Sequence, residues 1–197
     1  MSSEKKIRIL LIENDIDFVY LIRKTIEQTD DLTFCTYAEN GYAGLELARK
    51  LRPDIVLTDL NLTGNNLDGI EVSRQIRLST NAKVLLLTSF EDPSIVISAS
   101  KKSFACGYIF KSQCQNLCGI IRESATGITV QERFIQELIL KDLSSAERSV
   151  FDMMLGRNVD ILSSEKTIAN QKTSVFKKLG IKNQQELQHI FQPHMQG

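Results

Sequence analysis

Short apolar runs rich in β-branched residues punctuate the first two thirds of the chain, at residues 7–12, 32–37, 55–58, 83–87 and 107–110. Between them, residues 17–29, 41–49, 69–77, 93–103 and 116–126 place apolar side chains at helical spacing. This alternation predicts βα repeats wound around a parallel sheet. Five such units in about 120 residues suit an α/β, flavodoxin-like doubly wound fold.

Beyond Gly127 the strand pattern stops and only helical periods remain. Residues 131–141 predict a helix with an apolar stripe at Phe134, Ile135, Leu138 and Ile139. Ser144-Ser145-Ala146-Glu147 has the form of a capping box, opening a helix whose core face is Val150, Phe151 and Met154 and whose end is Gly156. Ser164 is the next N-cap candidate, for a helix reaching Leu179 with Gly180 as its C-cap, and 184–191 predicts a last short helix. The expected organisation is a five-stranded first domain at 1–127, a connecting helix and linker at 128–142, and a small all-α domain at 143–197.

Composition narrows the reading. With 42% hydrophobic residues the chain can build a real core, and its zero formal charge gives no overall attraction to nucleic acid, so any such contact needs a local patch. Cys35, Cys106, Cys114 and Cys118 lack metal-like or CxxC spacing. No apolar run reaches the roughly 18 residues of a membrane span, and Met1-Ser2-Ser3-Glu4-Lys5-Lys6 does not open a secretory leader. A cytoplasmic protein without a membrane partner is expected.

The chemistry gathers at strand ends. Glu13 and Asn14 follow the first run, Asp59 and Asn61 the third, Thr88 the fourth and Lys111 the fifth. An open parallel sheet builds its site at the C-terminal ends of its strands, so these residues are expected to meet. A nucleophilic carboxylate, oxygen ligands for a hard cation and a hydroxyl and an ammonium for phosphate oxygens are what phosphoryl transfer to an aspartate requires. Asp59 is the expected phosphorylation site. Glu13, Asn14, Asp59 and the Asn61 carbonyl are the expected Mg²⁺ ligands, and Thr88 and Lys111 the phosphate donors.

With Asp68-Gly69 and Tyr108 added in order, residues 7–126 resemble the receiver domains of bacterial two-component response regulators. The resemblance implies that a sensor histidine kinase phosphorylates Asp59 and that Thr88 and Tyr108 form a coupled switch. Receivers usually carry a second acid where this chain has Asn14; an amide brings no negative charge, so weaker Mg²⁺ binding is expected. Phe90 is a candidate shield of the phosphoryl group.

Residues 143–191 resemble the LuxR-type helix-turn-helix of the NarL/FixJ subfamily, through Leu143-Ser144, Glu147-Arg148, Ser164 to Ile168 and Lys178-Leu179-Gly180-Ile181. Residues 164–182 hold five lysines and one acid, a local excess of four positive charges. Lys166, Thr167, Asn170, Thr173, Lys177 and Lys178 are the candidate DNA contacts. The family's scaffold helix is curtailed here to 157–163, about five residues short. Lys172, in the middle of the apolar stripe Ile168, Val175, Phe176 and Leu179, is tolerable where that cover has gone.

The leading reading is a response regulator that binds promoter DNA, as a homodimer on two-fold sites, with no small-molecule substrate. The alternative is a receiver whose degenerate helical output acts through protein contact or dimerisation, partly independent of phosphate. An enzyme turning over an aspartyl-phosphate is disfavoured, because haloacid dehalogenase-type hydrolases need a second aspartate where this chain has Asn61.

Overall fold

The protein is described here by a computed structural model that covers residues 5–62, 68–90 and 92–192. Every apolar run becomes a strand: β1 (Ile7–Ile12), β2 (Leu32–Ala38), β3 (Ile55–Asp59), β4 (Lys83–Thr88) and β5 (Gly107–Phe110). They form one parallel sheet in the order β2-β1-β3-β4-β5, the flavodoxin-like order.

The crossovers are α1 (Ile16–Glu27), α2 (Gly41–Leu51), α3 (Asp68–Ser79), α4 (Pro93–Ser103) and α5 (Leu117–Thr126), the last preceded by a 3-10 turn over Lys111–Asn116. Because helices cover both faces, both sets of alternating strand residues are buried. Ile9, Leu11, Leu57 and Leu87 join one core with Val19, Ile22 and Ile121, whereas Leu10, Ile12, Val56 and Leu86 join the other with Ala48, Ile76 and Ala99. That is why the strands read as continuous apolar runs rather than as alternating ones.

Local chemistry sets the helix starts. Asp15 accepts from the backbone N–H groups of Asp17 and Phe18 to open α1, Asn40 caps α2 and Asp92 caps α4 ahead of Pro93. Gly69 answers a tighter constraint. A Cβ there would lie 2.1 Å from the Asp59 carbonyl oxygen, so only glycine lets the start of α3 come this close to the end of β3.

The chain divides into two compact units, residues 1–135 and 136–197, with the division inside α6 (Val130–Leu140). The expected apolar stripe of α6 is only partly buried: Ile135 and Ile139 are covered but Phe134 is 67% exposed. The second unit adds α7 (Ser145–Met154), α8 (Glu165–Leu179) and α9 (Gln184–Phe191). Its core holds Val150, Phe151, Met154, Val175, Leu179, Leu187 and Ile190, and Phe151 meets Phe191 edge-on at 5.1 Å between ring centres.

Ser144 and Glu147 form the capping box, and Ser164 and Gly180 close the two ends of α8, Gly180 at φ 64°. Residues 157–164 contain no helix. Leu162 is fully exposed, and Ile168 and Lys172 are half-buried. The start of α8 therefore lacks the cover that its end receives from α7. Among the described residues, no helix is long and apolar enough to cross a membrane.

Candidate functional site

The strand ends bring the predicted acidic pocket together. Glu13 and Asp59 are buried, and the Lys111 ammonium bridges them, 2.6 Å from Glu13 and 3.0 Å from Asp59. Each residue stands just past, or at, the last position of a strand whose register is fixed by its neighbours: Ile12 pairs with Thr58, and Asp59 with Leu87. Sequence-distant groups are thus placed by backbone pairing rather than by loop conformation. Asn14, Asn61, Ser89 and Phe90 line the same open cleft of about 490 Å³.

Burial pushes the Glu13 carboxyl above its ordinary range, against the opposing hydrogen bond from Lys111. Burial also works against the Lys111 charge, but the hydrogen bond to Glu13 and the charge of Asp59 outweigh it and hold Lys111 above its usual value. The ammonium lies 4.7 Å from the centre of the Phe18 ring, a contact sequence reasoning missed. Phe18 is on the helix that follows Glu13, but nothing in its spacing distinguishes it from the other core-facing residues of α1.

Asn14 is exposed at the cleft. Asp15 also lines the cleft, and one of its carboxylate oxygens, Oδ1, caps α1, accepting from the Asp17 N–H at 3.0 Å and the Phe18 N–H at 3.2 Å. The oxygen-bearing residues at the cleft are thus Glu13, Asn14, Asp15, Asp59 and Asn61. Hard oxygen donors around an open, water-accessible cleft fit Mg²⁺, which keeps several waters.

Thr88 and Tyr108 do not line the cleft. Thr88 is fully buried, and its hydroxyl accepts from the Phe90 N–H at 2.9 Å. Tyr108 is half-buried on the edge strand, its ring edge-on to Phe110 at 5.6 Å.

On α8, Lys166, Asn170, Thr173 and Lys177 are exposed and fall within a band of about 60° at ~100° per residue. Thr167 and Lys178 lie roughly 100–120° from Lys166 by the same rotation. Both also have partners inside the fold. Thr167 closes the helix cap with Ser164, and Lys178 donates to Glu147 at 2.7 Å and to the Asp142 carbonyl at 3.2 Å.

A five-stranded parallel sheet with an Asp–Glu–Lys cluster at its C-terminal edge defines a phosphoacceptor receiver, and the comparisons agree. The response regulator receiver domain family matches residues 9–122. LiaR, a transcriptional regulatory protein of Bacillus subtilis, is 30% identical over 173 residues, covering 85% of this chain and 79% of that protein. The nitrate/nitrite response regulator NarL of Escherichia coli K12 is 27% identical and covers 94% and 95%. In fold, RcsB of Salmonella enterica serovar Typhimurium, solved on promoter rprA with a phosphomimetic, superposes with a TM-score of 0.56 at 21% identity over 95% of this chain and 99% of RcsB. The chain belongs to the two-component response regulators, in the NarL/FixJ-type group of transcription regulators.

Proposed function

We propose that Asp59 takes a phosphoryl group from a sensor histidine kinase and that this controls promoter binding through the exposed face of α8. The observation that carries the reading is the Lys111 bridge between Glu13 and Asp59 at the strand ends. An Asp59 oxygen attacks phosphorus, the P–N bond of the donor phosphohistidine breaks, and the imidazole leaves with the electron pair and takes up a proton. Lys111 then turns from Asp59 to a phosphoryl oxygen, keeping its charge paired. Glu13, Asp59, the Asn61 carbonyl and Asn14 would hold Mg²⁺, which would offset the negative charge of the incoming oxygens. Phe90 restricts water at the cleft. The Thr88 hydroxyl, which accepts from the Phe90 N–H, moves to donate its proton to a phosphoryl oxygen, and Tyr108 follows into the space this opens.

The neutral Asn14 makes Mg²⁺ binding weaker than with an acid there. Asn14→Asp is expected to tighten it by roughly tenfold. Acetyl phosphate with Mg²⁺ should label wild type once per chain, without turnover, and leave Asp59→Asn unlabelled. Labelling that survives in Asp59→Asn would overturn the site.

In the output unit, Lys166, Asn170, Thr173 and Lys177 form the DNA-facing stripe, read as a homodimer on two-fold sites. Thr167 and Lys178, engaged in the fold, contribute less. Anisotropy against the chain's own upstream DNA and scrambled DNA, with and without beryllofluoride, tests this. Preference for upstream DNA that strengthens with the mimic and falls steeply with salt supports it. The uncovered start of α8 and the exposed Leu162 favour a second reading, a protein-binding output. A salt-tolerant complex with no DNA preference would establish that instead.

A further inference from the structure

The edge strand β5 exposes a backbone that a neighbouring strand would otherwise satisfy. At Tyr108 a side chain does so. The Gln131 carboxamide accepts from the Tyr108 N–H at 3.0 Å and donates to the Tyr108 carbonyl at 3.4 Å. Gly107 makes room for it, since a Cβ at that position would lie 2.4 Å from Gln131 Oε1.

The rest of the first turn of α6 is fastened to β4, the next strand inward. The Thr129 hydroxyl accepts from the Glu132 N–H, and Lys83, the first residue of β4, donates to the buried Glu132 carboxylate at 2.9 Å and to the Gly127 carbonyl. The helix that leaves the receiver unit is therefore tied to Lys83 of β4 through Glu132 and to the backbone of Tyr108 of β5 through Gln131. Tyr108 carries the aromatic side chain of the switch.

We propose that Gln131 is a positioning residue of the phosphorylation switch: its two bonds to Tyr108 hold β5 and the start of α6 in the resting arrangement, and phosphorylation at Asp59 releases them. The proposal rests on the reading of Asp59 as phosphoacceptor and Tyr108 as switch residue. On that reading the resting arrangement is the one with Lys111 on Asp59 and the Thr88 hydroxyl accepting from the Phe90 N–H. A contact made in only one of two states biases the equilibrium toward that state, and removing it strengthens any ligand of the other by the same factor. A clamp that merely supports the fold, present in both states, leaves the ligand affinity unchanged.

The test uses the full chain and fluorine NMR of beryllofluoride uptake in Mg²⁺, with wild type, Gln131→Ala and Gly107→Ala. The second variant displaces the carboxamide from the other side without touching Gln131. Both variants are expected to bind beryllofluoride about fivefold more tightly than wild type. In the absence of mimic and metal, the Tyr108 amide should exchange with solvent several-fold faster in Gln131→Ala, and wild type should approach that rate once beryllofluoride is bound. Unchanged or weaker uptake in Gln131→Ala overturns this proposal alone, as does a Tyr108 amide in wild type that stays protected in beryllofluoride. Wild type that takes up no beryllofluoride overturns the phosphoacceptor reading and this proposal with it.

Discussion

Gly69 and Glu147 show how single side chains, or the lack of one, hold each unit's working parts. In Gly69→Ala the new methyl has only main chain to push against, the Asp59 carbonyl oxygen and the Leu60 Cα. The variant should lose about 1–3 kcal/mol in urea unfolding and bind beryllofluoride more weakly, because β3 and Asp59 shift with the helix. Glu147 accepts from Lys178, Ser174 and the Ser144 N–H, which lowers its carboxyl from the ordinary 4.5 to about 2. A depressed carboxyl stabilises the fold above its unfolded value, and that stability drains away as pH falls from about 4.5 toward 2. Helical circular dichroism of wild type should therefore decline across that window, whereas Glu147→Gln should be less stable at neutral pH and flatter in acid. The motif Asp68-Gly69 and the capping box were both visible in the sequence. Their partners, a carbonyl and a lysine 31 residues on, were not, since spacing carries no information about which chain segment lies opposite.

Helix α8 is one continuous element with two environments. Its end is buried under α7, with Val175 and Leu179 in the core, while its start has Ile168 half-covered and Lys166 and Asn170 in solvent. Truncating the two ends should differ accordingly: Leu179→Ala costs about 2–5 kcal/mol in thermal unfolding, and Ile168→Ala about 1 kcal/mol or less. Lys177→Glu should weaken DNA binding about tenfold at low salt and make it less salt-dependent while leaving the unfolding midpoint within a degree or so. Lys178→Glu should lower that midpoint as well, because it sets a like charge against Glu147. The few residues between Gly156 and Ser164 and the lysine in the α8 stripe were legible from the sequence, since both are counts and periods. That Phe134 on α6 is exposed was not: a helical stripe marks which residues share a face, but the neighbours decide how wide a stripe is covered.

Each of the two units has its own core, so damage to one should spare the other. Phe151→Ala, which empties the centre of the output core against Phe191, should cost about 3–5 kcal/mol and melt the helical output. Beryllofluoride uptake by the same variant should stay within about twofold of wild type. Loss of uptake in Phe151→Ala would show instead that the two cores fold as one.

By itself the sequence determined the parallel α/β class, the positions of the strands and helices to within a residue or two, and the types of residue at the strand ends. Those properties are written in local periods and in caps, which act over a few residues. Only the tertiary structure decided that Lys111 bridges Glu13 and Asp59, that one Asp15 oxygen caps α1, that Lys178 neutralises Glu147, and that Gln131 holds the Tyr108 backbone. Each of these depends on strand register and helix packing, which bring together groups from separate elements.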